Sequence, residues 1–257
     1  MDLPRNRFKH ALAKGELQIG LWAGMCSPIA AEILVDSNYD WVVVDGEHSP
    51  NTLDSIMAQL QVFARGTTEP VVRTPWNDMV MTKLVLDIGA TTLLLPYVQN
   101  VEEAKRAVDS VRYPPRGNRG AAGSTRASHY GRVKNYFAQA DKEICVLIQA
   151  ETKDAVDQIE KMGALDGVDG IFVGPNDLSA SIGHLGNRMH PDVQSLIETA
   201  LKRIKATGKA SGILASTEDE AQRYIDLGYT FVAVGSDYGL YTKAVDALAQ
   251  RFGRGPK

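Results

Sequence analysis

Cysteine is scarce in this 257-residue chain, which carries only Cys26 and Cys145. Two thiols on separate predicted elements build neither a disulfide framework nor a Cys-rich zinc site, so they read as reduced thiols of a cytosolic protein. No run approaches the ~18 consecutive apolar residues that span a bilayer. The opening Met1-Asp2-Leu3-Pro4-Arg5 lacks the apolar core of a signal peptide, so the expected location is the cytoplasm. Neither sign of charge dominates: 28 basic and 31 acidic residues leave a net −3, with no electrostatic footprint for nucleic acid or an anionic membrane. A dinucleotide fingerprint is also missing, because Gly20-Leu21-Trp22-Ala23-Gly24 does not supply G-x-G-x-x-G. There is no linker and no low-complexity segment, and residues 1–257 read as a single domain.

What is present is rhythm. Short Val-, Ile- and Leu-rich runs recur at 18–22, 40–44, 70–73, 91–95, 144–149, 170–173, 210–214 and 230–234. Near-continuous apolar runs are expected of parallel strands covered on both faces. Amphipathic segments lie between them, at 51–64, 77–88, 101–111, 152–162, 191–206 and 218–227. Asn51, Asn77, Asn100, Thr152 and Thr217 are candidate N-caps, and Gly89 and Gly228 stand where helices end in a left-handed residue. Eight strands alternating with helices predict an α/β fold, a (β/α)8 TIM barrel; a doubly wound sheet is the runner-up.

In such a barrel the chemistry sits on the loops after the strands. The second run ends in Asp45-Gly46-Glu47-His48, the third in Arg73, the fifth in Gln149-Ala150-Glu151 and the sixth in Gly174-Pro175-Asn176-Asp177. Glu151 and Asp177 are either a hard-oxygen metal pair, suited to Mg²⁺ or Mn²⁺, or helix-capping carboxylates. Arg73 is either a guanidinium for a substrate carboxylate or enolate oxygen, or a structural ion pair with a carboxylate such as Asp45. His48, with Asp45 close by, reads as a general base whose partner fixes its tautomer; the alternative is a solvated loop histidine.

Lysine is informative by where it is missing. An imine-forming aldolase needs a lysine at the end of a strand. Lys83, Lys105, Lys153 and Lys161 fall on predicted helices, and Lys209 precedes the seventh strand. His10, His129, His184 and His190 match no zinc signature, and His190 before Pro191 reads as a turn residue. The excursion at 112–141 breaks the rhythm. Its Arg116, Arg119, Arg126 and His129 are candidates for a distal substrate carboxylate or a neighbouring subunit, or belong to a solvated loop.

These pieces resemble the HpcH/HpaI class II pyruvate aldolases. The similarity covers nearly the whole chain and rests on Asp45-Gly46-Glu47-His48, Pro70-Val71-Val72-Arg73, Arg112-Tyr113-Pro114-Pro115-Arg116-Gly117 and Gly174-Pro175-Asn176-Asp177-Leu178-Ser179. The resemblance implies a homohexamer, a trimer of dimers that exchange a C-terminal helix. It implies a divalent metal (Mg²⁺, Mn²⁺ or Co²⁺) on Glu151 and Asp177, and His48 as base, supported by Asp45 and Asp87. Arg73 would stabilise the pyruvate enolate, and Gln149 with the backbone N–H groups of Asn176 and Asp177 would hold the pyruvate moiety. Asn176 stands where many relatives have Ala. Glu47 would hydrogen-bond metal-bound water. Trp22, Leu214, Ser236 and the excursion would select the aldehyde.

The activity so implied is reversible cleavage of a 4-hydroxy-2-oxo acid, such as 4-hydroxy-2-oxoheptanedioate, to pyruvate and an aldehyde. A 2-keto-3-deoxy sugar acid aldolase would use the same site. A CoA-thioester lyase should bring a CoA-binding surface, which the sequence does not display. A non-catalytic barrel would not need Asp45, His48, Arg73, Glu151 and Asp177 together.

Overall fold

Eight parallel strands close on themselves in chain order in the computed structural model, which describes residues 1–256. They are β1 (Gln18–Ala23), β2 (Trp41–Asp45), β3 (Glu69–Arg73), β4 (Thr92–Leu95), β5 (Cys145–Ala150), β6 (Gly170–Val173), β7 (Ala210–Leu214) and β8 (Phe231–Ser236). Every apolar run forms its strand, with ends displaced by at most two residues. Twelve α-helices surround them among the described residues. The first six are α1 (Arg7–Ala13), α2 (Pro28–Asp36), α3 (Leu53–Phe63), α4 (Met79–Asp87), α5 (Val101–Val111) and α6 (Tyr136–Glu143). The others are α7 (Lys153–Asp157), α8 (Ile159–Gly163), α9 (Pro175–Ser181), α10 (Pro191–Ala206), α11 (Glu218–Leu227) and α12 (Asp237–Arg251). This is the expected (β/α)8 barrel. None of these helices is long and apolar enough to cross a membrane.

Strand alternation sorts the side chains into two cores. Val42, Val44, Val72, Leu93, Leu95, Ile148, Ile171, Val173 and Ile213 face outward and pack with the helices. Trp41, Val43, Val71, Leu94, Leu147, Phe172, Ala210, Phe231 and Ala233 face inward and fill the barrel. The bottom is plugged by aromatic rings: Phe8 of α1 lies 5.6 Å from Trp41 and 5.8 Å from Phe231 between centroids. Gly20 and Gly212 make the room, since a Cβ on either would meet the Trp41 or Phe231 ring within 2.3 Å. Two steps further along each strand, the same inward parity puts Trp22, Asp45, Arg73, Gln149 and Leu214 at the upper rim.

Two helix caps lie one residue beyond the positions expected for them. Thr52, not Asn51, caps α3 through a capping box, and Asp78, not Asn77, caps α4. Asn51 instead donates to the Asp45 carbonyl (2.7 Å), and Asn77 to that of Glu103 (2.9 Å). Asn100, Thr152 and Thr217 cap as expected, and Gly228 is left-handed at φ 94°. The segment at 152–162 breaks at Gln158 into α7 and α8.

The excursion does not line the rim. Helix α4 runs down the outside of the barrel, so its last residue, Asp87, lies towards the base. Arg119 donates to Asp87 there (3.0 Å), and Arg126 donates to the Ile88 carbonyl (2.8 Å). Arg116 pairs with Asp141 (2.5 Å). Within the chain, Arg116, Arg119 and Arg126 are thus occupied in tying the excursion to the lower flank of the barrel.

Candidate active site

The rim is organised by two residues that end adjacent strands. Asp45 and Arg73 are register partners in the β2–β3 ladder, so both side chains point inward at one height. Arg73 donates from Nε to Asp45 Oδ1 (2.8 Å) and from Nη2 to Oδ2 (2.6 Å), a bidentate pair with both residues buried. The Trp22 indole N–H adds a third bond to Oδ2 (3.1 Å), and the guanidinium lies over the Trp22 ring at 4.8 Å. The backbone N–H groups of Glu47 and His48 donate to Oδ1 at 2.9 and 3.3 Å. Burial alone would push the Asp45 carboxyl up; the Arg73 bonds and charge, with the Glu47 N–H and the indole, hold it below the ordinary carboxylate value. Gly46 allows the turn to close, because a Cβ would stand 2.7 Å from the Arg73 carbonyl oxygen.

Asp45 therefore orients the arginine and not the histidine. Its carboxylate is saturated with donors, His48 reaches it only through the backbone N–H, and 66% of the His48 side chain is exposed. The nearest carboxylate oxygen to that ring is Glu47 Oε2, at 3.9 Å. Asp87, at the base and paired with Arg119, makes no contact with His48 within the chain. The expected support of His48 by Asp45 and Asp87 is thus absent from the single chain.

The acidic side is crowded. Glu47 Oε2 lies 2.7 Å from Arg73 Nη1, a charge contact angled so that the oxygen keeps no formed hydrogen bond. Glu151 is buried, accepting from the Tyr97 N–H (2.7 Å) and from the Gln149 side-chain amide. Burial first, then the charges of Asp177 and Glu47, push its carboxyl up to about 7 despite those two donors. Glu47 is raised as well, mainly by burial. Gly174 makes room for Glu151, since a Cβ there would stand 2.6 Å from Oε2. Asp177 and Asn176 lie in the first turn of α9, which has no side-chain cap. Glu151 is therefore not a helix cap but a buried carboxylate facing other carboxylates.

The profile of the HpcH/HpaI aldolase/citrate lyase family matches residues 18–244. The chain belongs to this family. It is 50% identical over 251 residues to the 5-keto-4-deoxy-D-glucarate aldolase of Enterobacter sp. (strain 638), covering 98% of each chain. It is 50% identical over 248 residues to the 4-hydroxy-2-oxo-heptane-1,7-dioate aldolase of Klebsiella pneumoniae, covering 96% of this chain and 94% of that one. The crystal structure of an HpcH/HpaI aldolase/citrate lyase family protein from Burkholderia cenocepacia J2315 superposes with a TM-score of 0.93 at 37% identity, covering 96% and 99%.

On this HpcH/HpaI barrel, Asp45, Arg73, Glu47, Gln149 and Glu151 meet at the rim, with Asp177 close enough to act on the last by charge. Leu214 packs beside the inner core. Trp22, expected against substrate, is only 3% exposed and holds Asp45 from behind. Tyr97 was not singled out from the sequence. Its N–H role depends on a left-handed backbone (φ 53°) at a non-glycine residue, which no local pattern announces.

Asp45→Asn should lower stability by roughly 3–5 kcal/mol, the cost of breaking a buried pair. Because the folded Asp45 is depressed, its contribution is present above the unfolded value of 3.8 and is lost as pH falls through the folded one. Thermal melts followed by circular dichroism should show a large deficit for the variant at pH 7 that narrows below pH 4. A constant difference would contradict it.

Proposed function

We propose that this protein is a divalent-metal-dependent aldolase, cleaving a 4-hydroxy-2-oxo acid to pyruvate and an aldehyde and catalysing the reverse addition. The observation that carries the reading is a cluster of three carboxylates, Glu47, Glu151 and Asp177, beside an inward guanidinium on the rim of a barrel from this family. Numbered from the keto end, 5-keto-4-deoxyglucarate is itself a 4-hydroxy-2-oxo dicarboxylate, so the two relatives' names share one reaction and differ in the aldehyde half.

The residues fit a metal. Glu151 is held up to about 7 by burial and neighbouring charge, a conflict that a cation relieves. Glu47 Oε2 and Gln149 Oε1 are buried without hydrogen-bond partners, leaving lone pairs for an ion's water or a substrate. Glu151 and Asp177 are all-oxygen donors, suited to Mg²⁺, Mn²⁺ or Co²⁺. Bound there, such an ion supplies Lewis-acid polarisation of the 2-oxo group. The protein does the rest. Gln149 and the N–H groups of Asn176 and Asp177, which find no acceptor in the chain among the described residues, hold the pyruvate moiety. His48 takes the proton from the 4-hydroxyl, C3–C4 breaks, and C4 leaves as the aldehyde carbonyl. The electron pair is delocalised onto the C2 oxygen, where Arg73 stabilises the charge. Protonation at C3 gives pyruvate.

The test is pyruvate release from 4-hydroxy-2-oxoheptanedioate and from 5-keto-4-deoxy-D-glucarate, with Mg²⁺ or Mn²⁺ and then with EDTA. Turnover should vanish in EDTA, His48→Ala should lower kcat by about 10²–10⁴, and Arg73→Ala by about 10²–10³. Metal-independent turnover would refute the reading, and the larger kcat/KM names the preferred aldehyde half. Glu151→Gln offers a readout without substrate. At pH 8 the metal-free variant should be more stable than wild type by roughly 2–3 kcal/mol, from relief of the carboxylate conflict. It should also lose the melting-temperature gain that Mn²⁺ gives wild type; an unchanged gain would move the metal elsewhere.

We also propose a homohexamer, a trimer of dimers that exchange α12. Of α12 only Asp237 is buried, while Tyr238, Leu240, Tyr241, Val245 and Leu248 stand exposed. A helix with so much open apolar surface is supported as an interface element. Sedimentation of the intact protein should give six chains per particle, and a monomer would rule the assembly out.

A further inference from the structure

The loop that follows α9 winds back on itself through three turns. His184 N–H donates to the Ser179 carbonyl (2.8 Å), Asn187 N–H to that of His184 (2.9 Å) and His190 N–H to that of Asn187 (3.0 Å). Gly183 and Gly186 adopt the left-handed backbone this path needs, at φ 82° and 80°. The winding stacks the imidazoles of His184 and His190, 3.6 Å apart between centroids and 16° from parallel. Asp192, in the first turn of α10, arrives at the same point. Its Oδ2 lies 3.5 Å from His184 Nε2 and 3.7 Å from His190 Nδ1.

We propose that His184, His190 and Asp192 form a second metal site, for a borderline first-row cation such as Zn²⁺. One ligand atom from each residue lies within 4.8 Å of the others, the only such group of three among the described residues. A tetrahedral ion with bonds of about 2.0–2.1 Å sets its ligand atoms roughly 3.4 Å apart. The two separations of 3.5 and 3.7 Å are close to that edge, before any adjustment. Two imidazole nitrogens and one carboxylate select Zn²⁺, Ni²⁺ or Cu²⁺ over Mg²⁺ or Ca²⁺, with a fourth position left for water. That separates this site chemically from the all-oxygen pair on the rim.

The nitrogen needed from His190 carries its lone pair on the correct side. Nδ1 accepts the Asp192 N–H at 3.2 Å as the N-cap of α10, so it is the unprotonated nitrogen. Metal binding exchanges that cap bond for a ligand bond and turns the rings out of their stack so that both lone pairs meet the ion. The side chains are 28%, 32% and 71% exposed, so an ion enters without opening the core. Once bound, it ties the end of the α9 loop to the start of α10.

The experiment is a calorimetric titration of the full chain with Zn²⁺ in excess Mg²⁺, with Co²⁺ absorption in parallel. The variants are His184→Ala and His190→Asn, the second keeping a side-chain acceptor at the N-cap position. Wild type should take up one Zn²⁺ per chain at this site and give the intense visible bands of four-coordinate Co²⁺. Each variant should weaken that equivalent by at least ~tenfold while melting like wild type in EDTA. The same equivalent should survive Glu151→Gln, which distinguishes it from an ion on the rim. Unchanged Zn²⁺ binding in either variant, loss of the equivalent in Glu151→Gln, or only the weak spectrum of six-coordinate Co²⁺ would overturn the site.

Discussion

A buried arginine and a buried aspartate at the ends of adjacent strands set the terms for everything around them. Arg73 cannot be left uncompensated at 5% exposure, and Asp45 at 2% cannot either. Their two parallel hydrogen bonds satisfy both and fix the guanidinium plane. Trp22 then supports that plane from below and donates to the same carboxylate, so three strands agree on one orientation. The Asp-Gly turn follows from the same requirement. Asp45 Oδ1 accepts the N–H groups of Glu47 and His48, and only glycine at 46 lets the chain pass so close to the Arg73 carbonyl. Stability and function are joined here, because the pair that keeps β2 and β3 in register is also what aims a cation into the rim.

The acidic groups opposite behave differently. Glu151 has two donors for its two oxygens, yet burial and the charges of Asp177 and Glu47 outweigh them and raise its carboxyl. Arg73 does not resolve the conflict at Glu151, since its Nε and Nη2 are committed to Asp45 and its Nη1 lies against Glu47. The barrel thus carries one satisfied charge pair and one frustrated carboxylate cluster side by side. Frustration of this kind survives in a folded protein when a bound partner relieves it. Under the proposed function a hard cation would do so here without disturbing the pair that orients Arg73.

How much of this could be read from the sequence depends on the range of the signal. Strands were legible because burial on both faces leaves continuous apolar runs, and alternation by two then carries Trp22, Asp45, Arg73, Gln149 and Leu214 to the inner rim. Whom a rim side chain bonds to was less legible. Asp45 lies three residues from His48, which invites that pairing, but the β2–β3 register sets Arg73 directly opposite, and that register is a property of the closed sheet. Asp87 does not reach His48 within the chain for a related reason: its place on a returning helix puts it near the base, and a distant arginine, Arg119, finds it there. Tyr97 and the stack of His184 on His190 depend on left-handed backbone and on turns, where neighbouring residues hold little information about direction. The caps missed by one residue, Thr52 for Asn51 and Asp78 for Asn77, are the usual confusion between two good acceptors in succession.

Exposure divides the site in a way that bears on specificity. Arg73, Gln149 and Glu151 are all at or below 5% exposed, whereas His48, Asn176 and Asp177 are open. Under the proposed reaction the deeply held groups meet the 2-oxo acid half, which both relatives' substrates have in common. Of the open groups, Asn176 and Asp177 close over the pyruvate end from the solvent side, and His48 meets the 4-hydroxyl and whatever lies beyond it. A pocket built this way reads the pyruvate end with rigid, buried hydrogen bonds and leaves the aldehyde end to side chains that solvent or another subunit can reach. Two relatives at the same 50% identity with different aldehyde halves are what such a division permits. Under the same proposal, changes on the exposed rim would alter the leaving aldehyde without disturbing the buried pair on which both the fold and the orientation of Arg73 depend.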